Sequence, residues 1–244
     1  ARVAAGERDS FEAHASHAGV AGRLGYKVSG SYFTQGPWDR DNQMPDGTPL
    51  PSYQNSGTDQ PTFDAQFDFD QDETQACKFA GGLAGTSGIM NTGIGPFDID
   101  DGTTLWHGIG RWSKDTTDLM FFVNVVDGDA TNVLNDLPFV FKTATYDFSG
   151  KTSVRLGRHR LSYGGNLRYN GFNLSIAPEG SRRREGGAFL TDEWLFAEKW
   201  SLHSGLRIDW FDSIGVVASP RIALVHRIND NHSLRFSLNQ AFRT

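Results

Sequence analysis

From Phe63 to Asp70 the chain reads Phe-Asp-Ala-Gln-Phe-Asp-Phe-Asp, with apolar side chains at the odd positions and polar ones at the even positions. Successive side chains of a strand point to opposite faces, whereas a helix would scatter this pattern around its axis. The segment is therefore a strand with one apolar and one polar face. The same rhythm returns where Leu202, Leu206, Ile208 and Trp210 alternate with His203, Arg207 and Asp209. It returns again where Leu234, Phe236 and Leu238 alternate with Arg235, Ser237 and Asn239. About twelve such runs predict an all-β, antiparallel fold.

An apolar strand face is buried either against a second sheet or against lipid. Three features favour lipid. Connections alternate between tight links (Gly22–Leu24, Gln71–Glu73, Ser113–Asp115) and longer ones (about 36–60, 85–102 and 127–138). Transmembrane barrels require that parity, with short periplasmic turns and long outer loops. Tight turns at Ala197–Lys199 and Asn229–Asn231, separated by a modest loop near 212–218, continue it, while Gly150 to His159 is longer than the rule predicts. Several runs also reach roughly ten residues, enough to cross a bilayer at a tilt. Trp112 and Trp200 lie beside tight turns, and Trp38 and Trp210 near long loops, as interfacial girdles do. A spanning helix is excluded, because it needs roughly 20 apolar residues and the most apolar run, Leu119 to Val126, has 8.

The composition narrows function. A net charge of -6 and a pI near 5.6 oppose a nucleic-acid partner, which draws on Lys and Arg clusters. The single Cys77 permits no internal disulfide and reads as a packing residue. No G-x-S-x-G, H-E-x-x-H or phosphate loop occurs, so neither enzymatic activity nor a cofactor is expected. His14 and His17 fall on opposite strand faces and form no zinc pair. Asp98, Asp100 and Asp101 satisfy no complete calcium motif, and Met44 stands where a calcium loop beginning at Asp39 needs glycine. Ala1 to Gly6 lack the n- and h-regions of a signal peptide, and alternation runs into Thr244. Both ends are expected to be cuts through a longer chain.

Particular segments carry a resemblance. Leu161 to Asn170 contains Tyr163-Gly164-Gly165, and Glu185 to Trp194 contains Gly186-Gly187-Ala188-Phe189-Leu190-Thr191-Asp192-Glu193. Gly205-Leu206-Arg207-Ile208-Asp209, Ser219-Pro220-Arg221 and Asn239-Gln240-Ala241-Phe242-Arg243 follow. Together they resemble adjacent wall strands of TonB-dependent receptors, although Thr191 stands where that family commonly has Gln. Gly25 to Phe33 and Gly93 to Ile99 are similar to upstream parts of such receptors. The resemblance implies that residues 1–244 are a partial barrel domain in the outer membrane of a Gram-negative bacterium, without the plug domain and the C-terminal strands. About twelve strands would be roughly half of a 22-stranded wall, expected as a curved open sheet or an artificially closed barrel.

The function so implied is active import of a scarce nutrient, such as a siderophore, cobalamin or an oligosaccharide, energised by the TonB complex through a plug region. Further implied partners are outer-membrane lipid, lipopolysaccharide and the small nutrient ligand. Ligand contact is expected in the long outer loop, at Trp38, Asp39, Arg40, Asp41, Asn42, Tyr53 and Gln54. Asp64, Asp68, Arg168, Arg207, Asp209 and Arg235 are expected to face the lumen. Arg182, Arg183 and Arg184 form a basic run in an expected outer loop. Two rivals stand beside this reading: a passive porin-like channel, and a soluble secreted carbohydrate-binding β-protein whose apolar faces pack on a second sheet.

Overall fold

The computed structural model of the chain describes residues 1–39, 43, 46–49, 56–93, 95–175 and 181–242. Sixteen strands are described: β1 (Arg2–Ala5), β2 (Phe11–Ala21), β3 (Leu24–Gln35), β4 (Thr58–Asp70), β5 (Gln75–Gly85), β6 (Gly88–Thr92), β7 (Gly95–Ile99) and β8 (Thr104–Lys114) in the first half. The second half holds β9 (Thr117–Asp127), β10 (Asp129–Asn132), β11 (Pro138–Leu156), β12 (His159–Leu174), β13 (Arg182–Ala197), β14 (Trp200–Phe211), β15 (Gly215–Asn229) and β16 (His232–Asn239). Thirteen of them form one antiparallel path in chain order, from β1 through β5, then β8, β9 and β11 to β16. The path does not close on itself: β1 and β16 each have one neighbour among the described residues. The fold is an open all-β sheet, an incomplete barrel wall.

The register carries the alternation across the whole path, because directly paired residues share a face. Phe67 pairs with Tyr26 and Phe79, and Phe121 with Gly110 and Phe148. Further along, Leu167 faces Phe148, Leu190 faces Tyr163 and Leu206, and Leu224 faces Phe236. This apolar face is bare: Phe79 is 57%, Leu167 67% and Phe236 67% exposed. No second sheet covers it among the described residues. The five strand tryptophans, Trp106, Trp112, Trp194, Trp200 and Trp210, all belong to this face. On β14, Trp200 and Trp210 are ten residues apart. At ~3.3 Å per residue and a tilt near 45°, they would stand about 23 Å apart along a bilayer normal, close to the height of a barrel's apolar band.

One end of the wall carries short turns, at Gly22-Arg23, Gln71–Thr74, Asp115-Thr116, Gly157-Arg158, Glu198-Lys199 and Asp230-Asn231. Gly22, Asp115 and Gly157 each take φ between 51° and 62° at the first turn position, the left-handed geometry that tight hairpins need. The stretch from Gly150 to His159, expected as an overlong connection, is mostly strand. β11 runs to Leu156, and only Gly157-Arg158 turn. The polar residues there disguise a strand that continues beyond the apolar band. The loop expected near 212–218 likewise shrinks to 212–214.

At the other end, two expected loops contain further strands. β6 and β7 form a hairpin inside the link after β5, and β7 pairs with β10, which pairs with β11. Phe97 and Ala130 are buried there, and the Phe97, Phe139 and Phe141 rings follow one another at 5.3 and 5.7 Å. A methyl at Gly128 would collide with the Phe141 ring, so glycine is what allows this close packing.

Candidate functional site

The polar face presents the chain's chemistry in two parts. On β4, Asp64 lies beside Gly82 and then His107, with the Asp64 carboxylate 3.7 Å from His107 Nε2. Asp68 is 3.6 Å from Lys78 Nζ and accepts a hydrogen bond from Gln66 Nε2 at 2.5 Å. These side chains are open to solvent, Asp64 at 56% and Asp68 at 44% exposure. Pairs of this kind contribute little, because water screens them.

On β11 to β14 the arrangement is closed. Arg168 Nε donates to Asp147 Oδ2 at 2.8 Å, and its Nη1 is 3.5 Å from Glu185, which also holds Arg183 at 3.2 Å. Next to it, Arg207 Nε donates to both oxygens of Asp209 at 2.9 Å, and Arg207 Nη2 donates to Asn166 Oδ1 at 2.8 Å. The Asp147 and Asp209 side chains are only 5% and 9% exposed. Such carboxylates need this many donors, because desolvation penalises an unpaired charge. Gly187 lies under the second cluster, where a methyl would clash with Asp209 Oδ1 and Arg207 Nη2.

Asp64, Asp68, Arg168, Arg207 and Asp209 thus share one face, and Arg235 joins it through its pairing with Val225, which faces Ser201. Sequence reasoning named these six but missed Asp147, Asn166 and Glu185, whose roles depend on registers between strands. Arg182 to Arg184 are not a loop. They open β13, where alternation sends Arg183 to the polar face and Arg184, opposite Tyr169, to the apolar one.

In the expected ligand loop, Trp38 is 58% exposed and anchored: its Nε1 donates to Gln35 Oε1 at 3.1 Å, and the Arg8 guanidinium sits 3.9 Å above its ring. Asp39 is exposed. Arg40, Asp41, Asn42, Tyr53 and Gln54 lie outside the described residues. The link returns beside the β6–β7 hairpin, where Ser56 Oγ donates to Asp98 Oδ1 at 2.8 Å and Thr58 Oγ1 to the Ser87 carbonyl at 2.8 Å. An open cleft of about 390 Å³ is lined by Gln35, Trp38, Ser56, Thr58, Ile89 and Asn91. Among the described residues no three His, Cys, Asp or Glu side chains converge as a metal site.

Comparison with known proteins gives the wall a family. No curated protein matches the sequence significantly. Among solved structures, the iron transporter FrpB (F3-3 variant) of Neisseria meningitidis superposes with a TM-score of 0.67 at 13% identity, over 95% of this chain and 44% of that one. The siderophore receptor PirA of Pseudomonas aeruginosa gives 0.65 at 14% identity, over 96% and 40%. The copper transporter OprC gives 0.60 at 15% identity, over 97% and 43%. At such identities the likeness shows the fold, and the chain spans less than half the length of these proteins. The family of TonB dependent receptor-like β-barrels matches residues 9–244. Its members are outer-membrane transporters and not enzymes. With a match running from β2 to the end of the wall, this chain belongs to the TonB-dependent receptor-like β-barrel family.

Proposed function

We propose that the protein containing this wall is an active-transport receptor, which captures a scarce nutrient at the cell surface and imports it with energy from the TonB complex. The observation that carries the reading is the division of thirteen strands into one bare, mostly apolar face and one charged face, within a chain of this family. A wall of that kind puts lipid outside and an aqueous or plug-filled lumen inside. On this reading Asp64, Asp68, Arg168, Arg207, Asp209 and Arg235 face the lumen. The short turns are periplasmic, the Trp38 cleft with Asp39 belongs to the outer ligand-capturing surface, and Arg40, Asp41, Asn42, Tyr53 and Gln54 of the same link are proposed to contribute to ligand contact.

The remaining partners follow from the same geometry. A plug region outside residues 1–244 would engage TonB, and lipopolysaccharide would meet the outer rim, where Arg184 sits on the lipid face beside Tyr169. Candidate ligands are a ferric siderophore, cobalamin or an oligosaccharide. The transporters named above handle iron, siderophores and copper, which favours a metal-bearing ligand. Uptake of a radiolabelled ferric siderophore should fall when the complete gene is deleted, and equally when TonB is inactivated. Uptake that depends on the gene but not on TonB would mean a passive channel. Orientation is tested by thiol labelling of intact cells in a Cys77→Ser background. A cysteine at Gly47 should label and one at Lys114 should not.

A further inference from the structure

The two stretches of the short-turn rim differ in charge. In the first, the turns between β2 and β9 and their flanking residues carry Arg23 and Lys114 against Asp70, Asp72, Glu73 and Asp115. In the second, the turns between β11 and β16 carry Arg155, Arg158, Arg160, Lys199 and Arg227 against Glu198 and Asp230, with all five basic residues exposed. One rim is acidic and the other basic.

Under the basic stretch the apolar face has a continuous belt of rings across four strands. His159 stacks on Trp194 at 5.5 Å and 8°, Trp194 meets Phe196 at 5.4 Å, Phe196 meets Trp200 at 6.5 Å, and Trp200 stacks on His226 at 4.0 Å. Backbone contacts hold the cations above this belt. Arg158 Nη1 donates to the Phe196 carbonyl at 3.2 Å, and Lys199 Nζ to the Ile228 carbonyl at 3.4 Å, each using one of several donors. The adjacent turns are stitched as well, Leu195 N to Arg158 O at 2.9 Å and Arg227 N to Lys199 O at 2.8 Å. The two cations are therefore fixed along one rim, at the level where the belt ends.

We propose that this rim, with Arg158 and Lys199 over the His159–Trp194–Phe196–Trp200–His226 belt, binds the phosphate headgroup of an anionic phospholipid from the inner leaflet. Charge complementarity selects the headgroup: guanidinium and ammonium donors meet phosphate oxygens, and opposite charge at a membrane surface strengthens binding. The ring belt selects a lipid over a free anion, because amphipathic rings settle at the headgroup level with acyl chains beside them. The acidic stretch around Asp70 to Glu73 would repel the same headgroup, so the lipid is held on one side of the wall. The assignment rests on the reading above that the short turns face the periplasm.

The test uses the complete receptor, purified in detergent and exposed in turn to phosphatidylglycerol, phosphatidylcholine and lipopolysaccharide, with bound lipid counted by native mass spectrometry. Phosphatidylglycerol should be retained over phosphatidylcholine. Arg158→Gln and Lys199→Gln should each lower that retention about fivefold, in line with the attraction of one basic residue near an anionic surface. Arg23→Gln and Lys114→Gln, on the acidic stretch, should leave it unchanged. Trp200→Phe keeps a ring and all the charges, and should reduce retention less than either charge change, which guards against variants that merely misfold. Equal retention of the two phospholipids, or equal loss on both stretches, would overturn the assignment alone. Retention of lipopolysaccharide in preference to phosphatidylglycerol through Arg158 and Lys199 would overturn the choice of lipid, whereas labelling of a cysteine at Lys114 in intact cells would overturn the orientation beneath it.

Discussion

The walls formed by β3–β5 and by β11–β14 present the same apolar pattern outward and opposite solutions inward. In the first wall, Asp64 and Asp68 reach single basic groups at 3.7 and 3.6 Å, Asp68 also accepts from Gln66 at 2.5 Å, and both stay about half exposed. In the second, Asp147 and Asp209 are almost fully covered and held by arginines at 2.6 to 2.9 Å. The outward face is dictated by lipid, which accepts any apolar side chain, so both walls look alike there. The inward face is free to specialise. Arginine clusters hold the carboxylates of one wall, while the carboxylates of the other stay open to solvent. The lesson is that charge on the polar face must be read together with its partners: a carboxylate locked to arginine is part of the scaffold.

The comparison breaks first if the outward faces are not equivalent. Leu167→Arg in the second wall and Phe67→Arg in the first should each destabilise the folded receptor by about 2–4 kcal/mol, the cost of a cation near the bilayer midplane. Gln66→Arg, one residue away but on the polar face, should cost under about 1 kcal/mol. Urea titration of the complete receptor folded into vesicles measures all three. Equal losses at 66 and 67 would show that the faces are not divided between lipid and water.

The inward difference is the next test. Asp147→Ala strips Arg168 of its closest acceptor and should cost about 2 kcal/mol, as loss of a charged partner in a covered network does. Asp68→Ala should stay within about 0.5 kcal/mol, because Asp68 and Lys78 are already solvated and Gln66 is a neutral donor that water can replace. The readout is the temperature at which the barrel loses its compact, heat-modifiable migration on gels. Similar shifts for the two would remove the distinction between a locked wall and an open one.

Most of the wall was legible in the sequence because the pleat has period two and lipid enforces it. Phe63 to Asp70 announces its face without any knowledge of its neighbours. What failed had weaker local signals. β6, β7 and β10 are four or five residues each, and their pairing with one another and with β11 is not written in their own alternation. Gly150 to Leu156 read as a loop because Lys151 and Arg155 interrupt an apolar run, yet Thr152, Val154 and Leu156 keep the period. Arg182 to Arg184 misled in the same way, since a run of charge is a loop signal only if the backbone stops alternating. For the candidate site, sequence supplied Arg168, Arg207 and Asp209 but not Asp147, Asn166 and Glu185. Arg168 meets Asp147 and Glu185 only through the β11–β12 and β12–β13 registers.

The smallest expected effect concerns the rim of the first wall, where Asp72 shapes the turn between β4 and β5. Its Oδ1 accepts from the Thr74 hydroxyl at 2.8 Å, the Thr74 N–H at 2.8 Å and the Gln75 N–H at 2.9 Å, an Asx-type turn. These bonds favour the ionised carboxylate and hold it below the ordinary value of 3.8, the Thr74 hydroxyl first, then the Thr74 N–H, with desolvation opposing them, and the Gln75 N–H and the Lys114 charge adding to the lowering. A depressed folded value means that the unfolded chain takes up the proton more readily. The stabilisation is therefore fully present above 3.8 and disappears as pH falls through the lower, folded value. The group is fully exposed, so the effect is slight and confined to strongly acid solution. Asp72→Asn retains an oxygen acceptor but cannot titrate, and should flatten this part of the acid-stability profile while leaving stability at neutral pH little changed. An unaltered acid limb in the variant would assign the pH dependence to other carboxylates. The turn at the first wall's rim would then be held by its backbone bonds and not by charge.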